Sequence, residues 1–281
     1  YFIVIRPYSS VIVIHSLDYR SCFDITQINI ENYPESLRPL LLGADIYDSR
    51  CASGAEVLFI DRDCGYFLKS MKRGELEAEA RMTEYFGSIG LGAKVLSFEQ
   101  TDRDYMLTER VRGEDCTDRR YLADPKRLCE LYAELLYDLH RRDFADCPVK
   151  NRIESYSALA FENYRTGNYD KESFPDSFGY ASAEEAMEVI KKYGSSLKNN
   201  TLIHGDYCLP NVMLDDWRFS AFIDVGNGGV GDRHIDLFWG VWTLWYNLKT
   251  NEYGDRFLDA YGRGDFERDM LRVVAAFEVF G

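Results

Sequence analysis

The chain has 281 residues, of which 46% are hydrophobic, so it can bury a large core in one or two domains. Its formal net charge of -14 argues against nucleic acid as a partner, because phosphate binding requires clustered lysine and arginine. Its seven cysteines are scattered without a C-x-x-C pair, which disfavours a zinc site and a disulfide framework and indicates a reduced, cytoplasmic protein.

The first part of the chain is predicted to form an extension followed by a small mixed lobe. Residues 1–28 hold two apolar runs, each shorter than the roughly 18 residues that span a bilayer, so we expect an N-terminal extension without membrane contact. Hydrophobic periodicity and the turn signal Asp63-Cys64-Gly65 then predict a lobe over residues 29–112. The predicted order is strand, strand, helix, strand, strand, over residues 57–61, 66–69, 75–89, 94–99 and 105–109.

Residues 113–281 are predicted to form a larger, mainly helical lobe. Helical periodicity recurs over residues 125–141, 153–164, 183–193, 235–248 and 267–277. Two short strands, over 211–214 and 220–223, are joined by the polar turn Asp215-Asp216 and lie among these helices. The patterns therefore indicate an α+β protein with a small mixed lobe and a helical lobe.

The most informative motif is His204-Gly205-Asp206, followed by Asn211 and then by Asp224. Phosphoryl transfer from a nucleotide requires an acid that orients the attacking hydroxyl and two oxygen ligands for Mg²⁺ on the phosphates. An amide and a carboxylate suit a hard cation that keeps several of its waters. Because the predicted hairpin reverses the chain, Asp224 is expected beside Asn211, and the motif indicates a kinase.

A second set of residues in the first lobe supports this interpretation. Lys69 ends a predicted strand, and Glu79 follows in the predicted helix, with Glu75 and Glu77 as alternative partners. A lysine held by a helix carboxylate can contact the α and β phosphates. The loop over 49–55 consists mainly of small residues whose backbone amides can approach phosphates, although it is neither a Walker A loop nor a G-x-G-x-x-G loop.

These motifs resemble those of the aminoglycoside phosphotransferases, in particular the 3'-phosphotransferase type. Residues 202–214, Leu-Ile-His-Gly-Asp-Tyr-Cys-Leu-Pro-Asn-Val-Met-Leu, are similar to the catalytic loop of that family. Residues 219–226 resemble its metal-binding segment, and 230–237 resemble the Asp-rich stretch that follows. Leu139-His140 also matches. The resemblance covers about Asn29 to Gly281 and implies a bilobal, protein-kinase-like fold.

For the catalytic loop, the resemblance implies one role for each matching position. Asp206 is the carboxylate that orients, and can deprotonate, the acceptor hydroxyl. Asn211 and Asp224 hold the Mg²⁺ ions that bridge the nucleotide phosphates. Structural support of the loop is expected from His204, Asp232 and Asp236.

For the phosphate donor, the resemblance implies ATP or GTP bound with Mg²⁺. Lys69, paired with Glu79, contacts the α and β phosphates. Ser53 and its neighbours cover the phosphates. The backbone of the segment from Thr108 to Arg110 bonds the adenine.

For the acceptor, the resemblance implies an aminoglycoside, a small cationic molecule phosphorylated at the 3'-hydroxyl, with antibiotic resistance as the result. Glu162 and Glu278 match positions at which the family places acidic residues against this substrate. Two departures favour an alternative acceptor, such as another amino sugar or a choline-like alcohol. Asn227 stands where the family commonly has arginine, and residues 277–281 replace a terminal Asp-Glu-Leu-Phe.

Two other classes of protein fit the residues less well. A nucleotide-binding pseudokinase should lack at least one of four residues, all of which are present here: Lys69, Asp206, Asn211 and Asp224. A metal hydrolase that uses His204 and Asp206 would need a second histidine at ligand spacing, and the remaining histidines are scattered.

Overall fold

The structure, a computed structural model, describes residues 24–49, 54–170 and 178–281. Ser53 and most of the predicted extension over 1–28 therefore lie outside the described residues. The described residues divide into two compact units. The sheet unit comprises the residues up to Cys116 together with Pro210–Gly226, and the helical unit comprises the residues of Thr117–Leu209 and Asn227–Gly281.

Strands make up most of the sheet unit and helices most of the helical unit. In chain order the strands are β1 (Asp45–Asp48), β2 (Glu56–Asp61), β3 (Tyr66–Lys72), β4 (Val95–Gln100), β5 (Arg103–Glu109), β6 (Glu114–Asp115), β7 (Thr201–Ile203), β8 (Val212–Asp215), β9 (Arg218–Phe222) and β10 (Gly229–Gly231). The helices are α1 (Arg38–Leu41), α2 (Glu77–Ser88), α3 (Arg119–Leu122), α4 (Pro125–His140), α5 (Arg152–Thr166), α6 (Ala183–Tyr193), α7 (Arg233–Leu248), α8 (Glu252–Tyr261) and α9 (Arg268–Glu278).

The main sheet of the sheet unit has the order β1-β2-β3-β5-β4, with antiparallel neighbours throughout. Side chains two residues apart on a strand point to the same face. Lys69 of β3 therefore lies on the face of Phe67, which packs with Val57 in one apolar cluster. Leu68 points to the opposite face and packs with Leu107 in another. Lys69 therefore lies on a face of the sheet whose other side chains are buried and apolar.

Helix α2 begins where a carboxylate from β5 caps it. Asp104 is completely buried, and its Oδ2 accepts the backbone amides of Gly74 at 2.8 Å and Leu76 at 3.1 Å. Its Oδ1 accepts the side-chain amide of Gln100 at 3.1 Å. Leu76, at the N-cap, makes no side-chain cap bond of its own. Asp104 therefore satisfies amides that the start of a helix leaves unpaired, and it fixes the helix that carries Glu79.

The predicted hairpin over 211–223 is present as β8 and β9, with Val212 opposite Phe222. Its turn contains Asp216 and Trp217 at φ 49° and 64°. Two consecutive residues with positive φ are typical of the type I′ turns that match strand twist in tight hairpins. The hairpin extends into a small sheet with the order β6-β8-β9, which belongs to the sheet unit.

The helical unit is built around a hydrophobic core formed mainly by α5, α6, α7 and α9. Phe277 of α9 stacks on Tyr156 of α5, with ring centroids 4.8 Å apart. Strand β7 pairs with β10, and the chain that leaves β7 carries the His204-Gly205-Asp206 motif. Among the described residues, no helix combines the length and the apolar character needed to cross a bilayer.

Candidate active site

Lys69 of β3 forms a buried ion pair with Glu79 of α2. Its Nζ lies 2.6 Å from Oε1 and 2.8 Å from Oε2 of Glu79, and 3.4 Å from Oδ1 of Asp224. The exposed fractions of the side chains of Lys69, Glu79 and Asp224 are 8%, 15% and 4%. Burial by itself lowers the pKa of Lys69, but the carboxylates of Asp224 and Glu79 outweigh it, and the pKa is raised above its usual range. The lysine is therefore a fixed positive charge.

Asp224 reaches this pair because the chain after β9 turns sharply beside α2. Asp224 has φ 57°, in the left-handed region that costs a non-glycine residue about 1–2 kcal/mol. A Cβ added to Gly226 would lie 3.0 Å from the Cβ of Glu79, so the backbone passes close to α2 at this point. The absence of a side chain at Gly226 allows that close approach.

Asn211 stands at the other end of the same hairpin and is 2% exposed. The backbone amide of Ile223 donates to the carbonyl of Asn211 at 3.0 Å, which joins the segment before β8 to the residue before Asp224. One buried amide and one buried carboxylate form an oxygen donor set that fits Mg²⁺, which usually binds through one or two carboxylates, waters and substrate phosphates. The described residues contain no cluster of three or more His, Cys, Asp and Glu side chains able to hold a metal ion.

A cavity in the sheet unit is lined by Lys69, Glu79 and Asp224. The rest of its lining is mostly apolar and comprises Val57, Phe67, Thr83, Gly92, Ala93, Met106, Thr108, Glu109, Phe222, Ile223 and Val225. A largely apolar cavity with a fixed cation in its wall has the chemistry that a nucleotide requires, namely an apolar surface for the base and a positive charge for phosphate.

The segment predicted to bond the adenine is only partly exposed to this cavity. Thr108 and Glu109 line it, whereas the guanidinium of Arg110 lies 5.4 Å from the ring centroid of Phe59. The backbone amide of Glu109 donates to the carbonyl of Lys94 at 3.0 Å, and that of Arg110 donates to the carbonyl of Gly65 at 3.1 Å. A base that contacts this segment must compete with these bonds or use other backbone atoms.

Asp206 follows β7 in the helical unit and is 6% exposed. The preceding Gly205 has φ 81°, and a Cβ added there would lie 1.9 Å from the carbonyl oxygen of Asn227, so this position requires glycine. Asp236, in the first turn of α7, accepts the backbone amides of both His204 and Gly205 at 2.7 Å. The backbone that leads into Asp206 is therefore held by a buried carboxylate, as the sequence predicts for Asp236.

The residues after Asp206 are held by contacts that no sequence motif indicates. The hydroxyl of Tyr132 in α4 donates to the carbonyl of Tyr207 at 2.6 Å, and the hydroxyl of Tyr207 donates to the carbonyl of Tyr132 at 2.7 Å. The two rings stack with centroids 4.3 Å apart. The backbone amide of Leu209 donates to Oγ1 of Thr243 in α7 at 3.1 Å. The thiol of Cys208 contacts Oδ1 of Asp206 at 3.3 Å.

Neither predicted acidic contact to the acceptor is an unengaged carboxylate. Glu162 is exposed and accepts two bonds from the guanidinium of Arg165, at 2.6 and 3.0 Å. These hydrogen bonds from Arg165 lower the pKa of Glu162. Glu278 is 4% exposed, and its Oε1 accepts the hydroxyl of Tyr156 and Nε1 of Trp239, both at 2.8 Å. Glu278 therefore joins α5, α7 and α9 within the core of the helical unit.

An arginine does contact the segment at Asn227. Nη2 of Arg152, the first residue of α5, donates to Oδ1 of Asn227 at 2.7 Å. The backbone of Asn227 is the one that closes over Gly205. Arg152 was not predicted to take part in the site, because it lies far from Asn227 along the chain.

Comparison with known proteins shows relatives along most of the chain. Residues 49–274 match the sequence profile described as the phosphotransferase enzyme family. A probable aminoglycoside 3'-phosphotransferase from Lactococcus lactis is 45% identical over 256 residues, which cover 91% of this chain and 97% of the relative. An aminoglycoside 3'-phosphotransferase from Niallia circulans is 27% identical over 259 residues, which cover 89% of this chain and 97% of the relative.

Solved structures bear on the fold. The crystal structure of an aminoglycoside-3'-phosphotransferase of type VIII superposes with a TM-score of 0.74 at 23% identity, covering 90% of this chain and 99% of that one. The aminoglycoside phosphotransferase APH(3'')-Id from Streptomyces rimosus, solved with ADP and streptomycin, superposes with a TM-score of 0.67 at 20% identity, covering 80% of this chain and 90% of that one. The predicted α+β, protein-kinase-like fold is confirmed.

Proposed function

This chain belongs to the phosphotransferase enzyme family, and we propose that it transfers the γ-phosphate of ATP or GTP to a hydroxyl group of an aminoglycoside. The observation that carries the proposal is the buried Lys69 ammonium between the carboxylates of Glu79 and Asp224 in the wall of an apolar cavity. Phosphoryl transfer depends on positioning and on charge stabilisation of this kind rather than on covalent chemistry by the protein.

In the sheet unit, Lys69 binds the α and β phosphates and Glu79 keeps its ammonium in place. Because Glu79 holds the lysine through two short contacts, little side-chain freedom remains to be lost when the phosphates bind. The apolar lining of the cavity receives the base, and Thr108 and Glu109 are part of that lining. Contacts from Ser53 and from the backbone of Thr108–Arg110 remain predictions.

Asn211 and Asp224 would hold Mg²⁺, to which they offer one amide and one carboxylate oxygen. When bound, the metal neutralises charge on the β and γ phosphates. Asp224 also contacts Lys69 at 3.4 Å, so the same carboxylate would serve both the lysine and the metal. This sharing makes the arrangement of Lys69 sensitive to any change at Asp224.

In the helical unit, Asp206 orients the acceptor hydroxyl and accepts its proton as the bond to phosphorus forms. Its position depends on the two backbone amides that Asp236 holds and on the thiol of Cys208. A carboxylate that is largely buried and anchored on both sides along the chain can present one orientation to the acceptor.

The aminoglycoside acceptor is supported by the two relatives described above, both of which are named as aminoglycoside 3'-phosphotransferases. We infer the 3'-hydroxyl as the site of transfer, a bacterial cytoplasmic location, where nucleoside triphosphates are supplied, and antibiotic resistance as the outcome. Glu162 and Glu278 as substrate contacts stay predictions. To bind the substrate, Glu162 would have to release Arg165, and Glu278 would have to release Tyr156 and Trp239.

The test is release of ADP from ATP, or of GDP from GTP, by the purified chain with Mg²⁺, measured across a panel of aminoglycosides. We expect release to depend on the drug, and we expect Asp206→Asn to lower kcat by about 10²–10⁴-fold, the usual contribution of a general base. The control is Asp102→Asn, which alters an exposed carboxylate in the β4–β5 turn and should leave kcat unchanged. NMR of the product identifies the hydroxyl.

Two results would contradict the proposal. Nucleotide binding without stimulation by any aminoglycoside would indicate a different acceptor. Full activity of Asp206→Asn would exclude the assigned role of Asp206.

A further inference from the structure

Asp236 accepts the backbone amides of His204 and Gly205, and a third hydrogen bond joins it to His140. Asp236 is completely buried, and Nε2 of His140 lies 3.1 Å from its Oδ2. The other nitrogen of His140, Nδ1, lies 2.8 Å from the hydroxyl of Tyr261. His140 is the last residue of α4, Tyr261 is the last residue of α8, and Asp236 lies in the first turn of α7. A line of hydrogen bonds therefore connects three helix ends to the loop before Asp206.

The chemistry of the groups sets the direction of each hydrogen bond. An ionised carboxylate can only accept, so Nε2 of His140 carries the hydrogen. The neutral ring then accepts at Nδ1, and the hydroxyl of Tyr261 donates to it. Burial lowers the pKa of His140, although Asp236 opposes the shift, and burial raises the pKa of Tyr261. Both shifts favour the neutral forms that this arrangement requires.

Building on the proposed function, we propose that His140 and Tyr261 are positioning residues of the phosphotransfer reaction. Their hydrogen bonds orient the carboxylate of Asp236. Because that carboxylate holds the two backbone amides directly before Asp206, its orientation sets the position of the catalytic side chain. Displacing a catalytic group by about 1 Å can cost on the order of 10²-fold in rate, so a group this far from the substrate can control kcat.

Three variants test the roles of the ring and of the hydroxyl. His140→Leu removes both hydrogen bonds at similar bulk. His140→Gln can restore them, because its amide can donate to Asp236 and its carbonyl can accept from Tyr261. Tyr261→Phe removes only the hydroxyl that donates to Nδ1 of His140. The matched control is Tyr137→Phe. Tyr137 lies in the last turn of α4, as His140 does, and its hydroxyl accepts a hydrogen bond from Arg141.

The kinetic measurements are kcat, KM for both substrates and the nucleotide dissociation constant, with the melting temperature recorded for every variant. We expect His140→Leu to lower kcat by about 10- to 100-fold, as loss of an outer hydrogen-bond partner commonly does, without a change in nucleotide affinity. His140→Gln should recover most of this loss, Tyr261→Phe should show a smaller decrease in kcat, and Tyr137→Phe should behave as the parent chain.

Hydrogen exchange gives a second readout that does not depend on turnover. Exchange at the backbone amides of His204 and Gly205 should be faster in His140→Leu and near the parent rate in His140→Gln, while amides of the sheet unit remain unchanged. If the parent chain transfers no phosphate to any aminoglycoside, the proposed function fails, and hydrogen exchange still decides whether His140 orders the loop.

Specific results would overturn the inference. A folded His140→Leu with parent kcat and parent exchange rates would exclude a positioning role. Equal losses in His140→Gln and His140→Leu would show that the ring matters only for packing. If His140→Leu does not fold, the other two variants decide. An unchanged kcat in Tyr261→Phe together with a strongly lowered kcat in His140→Gln would then exclude the positioning role.

Discussion

At the scale of single residues, the site depends on a buried positive charge, the ammonium of Lys69. An ammonium in an apolar wall is stable only where carboxylates compensate for its lost hydration, and Lys69 has Glu79 and Asp224 within 3.4 Å. The dependence is mutual, because either carboxylate would be a poorly compensated buried anion without the lysine. The group therefore serves the stability of the sheet unit as well as the proposed binding of phosphate.

We predict that Lys69→Met lowers the free energy of unfolding by more than the loss of an exposed ion pair does. Removal of one partner from a buried pair leaves a charge without compensation and typically costs about 3–5 kcal/mol. The control is Lys94→Met, because Lys94 pairs with Glu109 at 3.5 Å with 70% of its side chain exposed, and such pairs contribute about 0–1 kcal/mol. Denaturant unfolding gives both free energies, and equal values would contradict the prediction.

At the scale of elements, the site depends on where helices begin. Helix α2 takes its first hydrogen bonds from Asp104 of β5, and α7 uses Asp236 of its own first turn to hold the loop before Asp206. In both cases a buried carboxylate satisfies backbone amides that would otherwise lack a partner. The start of each helix is thereby tied to a functional side chain, Glu79 in one unit and Asp206 in the other.

Asp104→Ala should therefore weaken α2 at the end that precedes Glu79. The change leaves the amides of Gly74 and Leu76 without their acceptor. Leu76 is completely buried, and an unsatisfied buried group costs about 1–3 kcal/mol. We expect lower stability together with weaker nucleotide binding, because Glu79 no longer holds Lys69 in a fixed position. Unfolding experiments and nucleotide titration measure the two effects. If the variant is clearly destabilised but binds nucleotide as the parent does, the capping of α2 is not required for the proposed site.

At the scale of the molecule, the chain supplies its proposed functional groups from two compact units. Pro210–Gly226 belongs to the sheet unit, so Asn211 and Asp224 share a unit with Lys69 and Glu79, while Asp206 belongs to the helical unit. The proposed donor site thus lies in one unit, with a core of its own. Binding of nucleotide should be measurable without any acceptor.

We predict that ATP or GTP with Mg²⁺ stabilises the protein in the absence of an aminoglycoside. A ligand that binds only the folded state contributes about 2.7 kcal/mol at a concentration 100 times its dissociation constant. Thermal unfolding with each nucleotide measures this effect, and the larger shift at equal concentration identifies the preferred donor. Lys69→Met should reduce the shift strongly. No shift with either nucleotide would contradict the assigned donor site.

The patterns of the sequence predict neither β1 nor α8. Strand β1 has four residues at the edge of its sheet, too few for an alternation to stand out. Helix α8 contains Gly254 and begins at the poorly helical stretch before Glu252, and it is stabilised by burial of Phe257 and Tyr261. Strand β1 depends on its pairing with β2 and helix α8 on the packing of its buried side chains, and local propensity reports neither.

The sequence by itself determined the α+β class, the chemistry indicated by His204-Gly205-Asp206 and the hairpin that joins Asn211 to the segment of Asp224. These depend on residue type and on spacing within short segments, where the geometry of turns and strands limits the possible arrangements. Only the tertiary structure decided that Glu278 faces the core, that Arg152 contacts Asn227 and that Tyr261, through His140, supports Asp236. Such contacts join residues far apart in the chain, and they arise because buried polar groups must find partners among whatever side chains the packing brings near them.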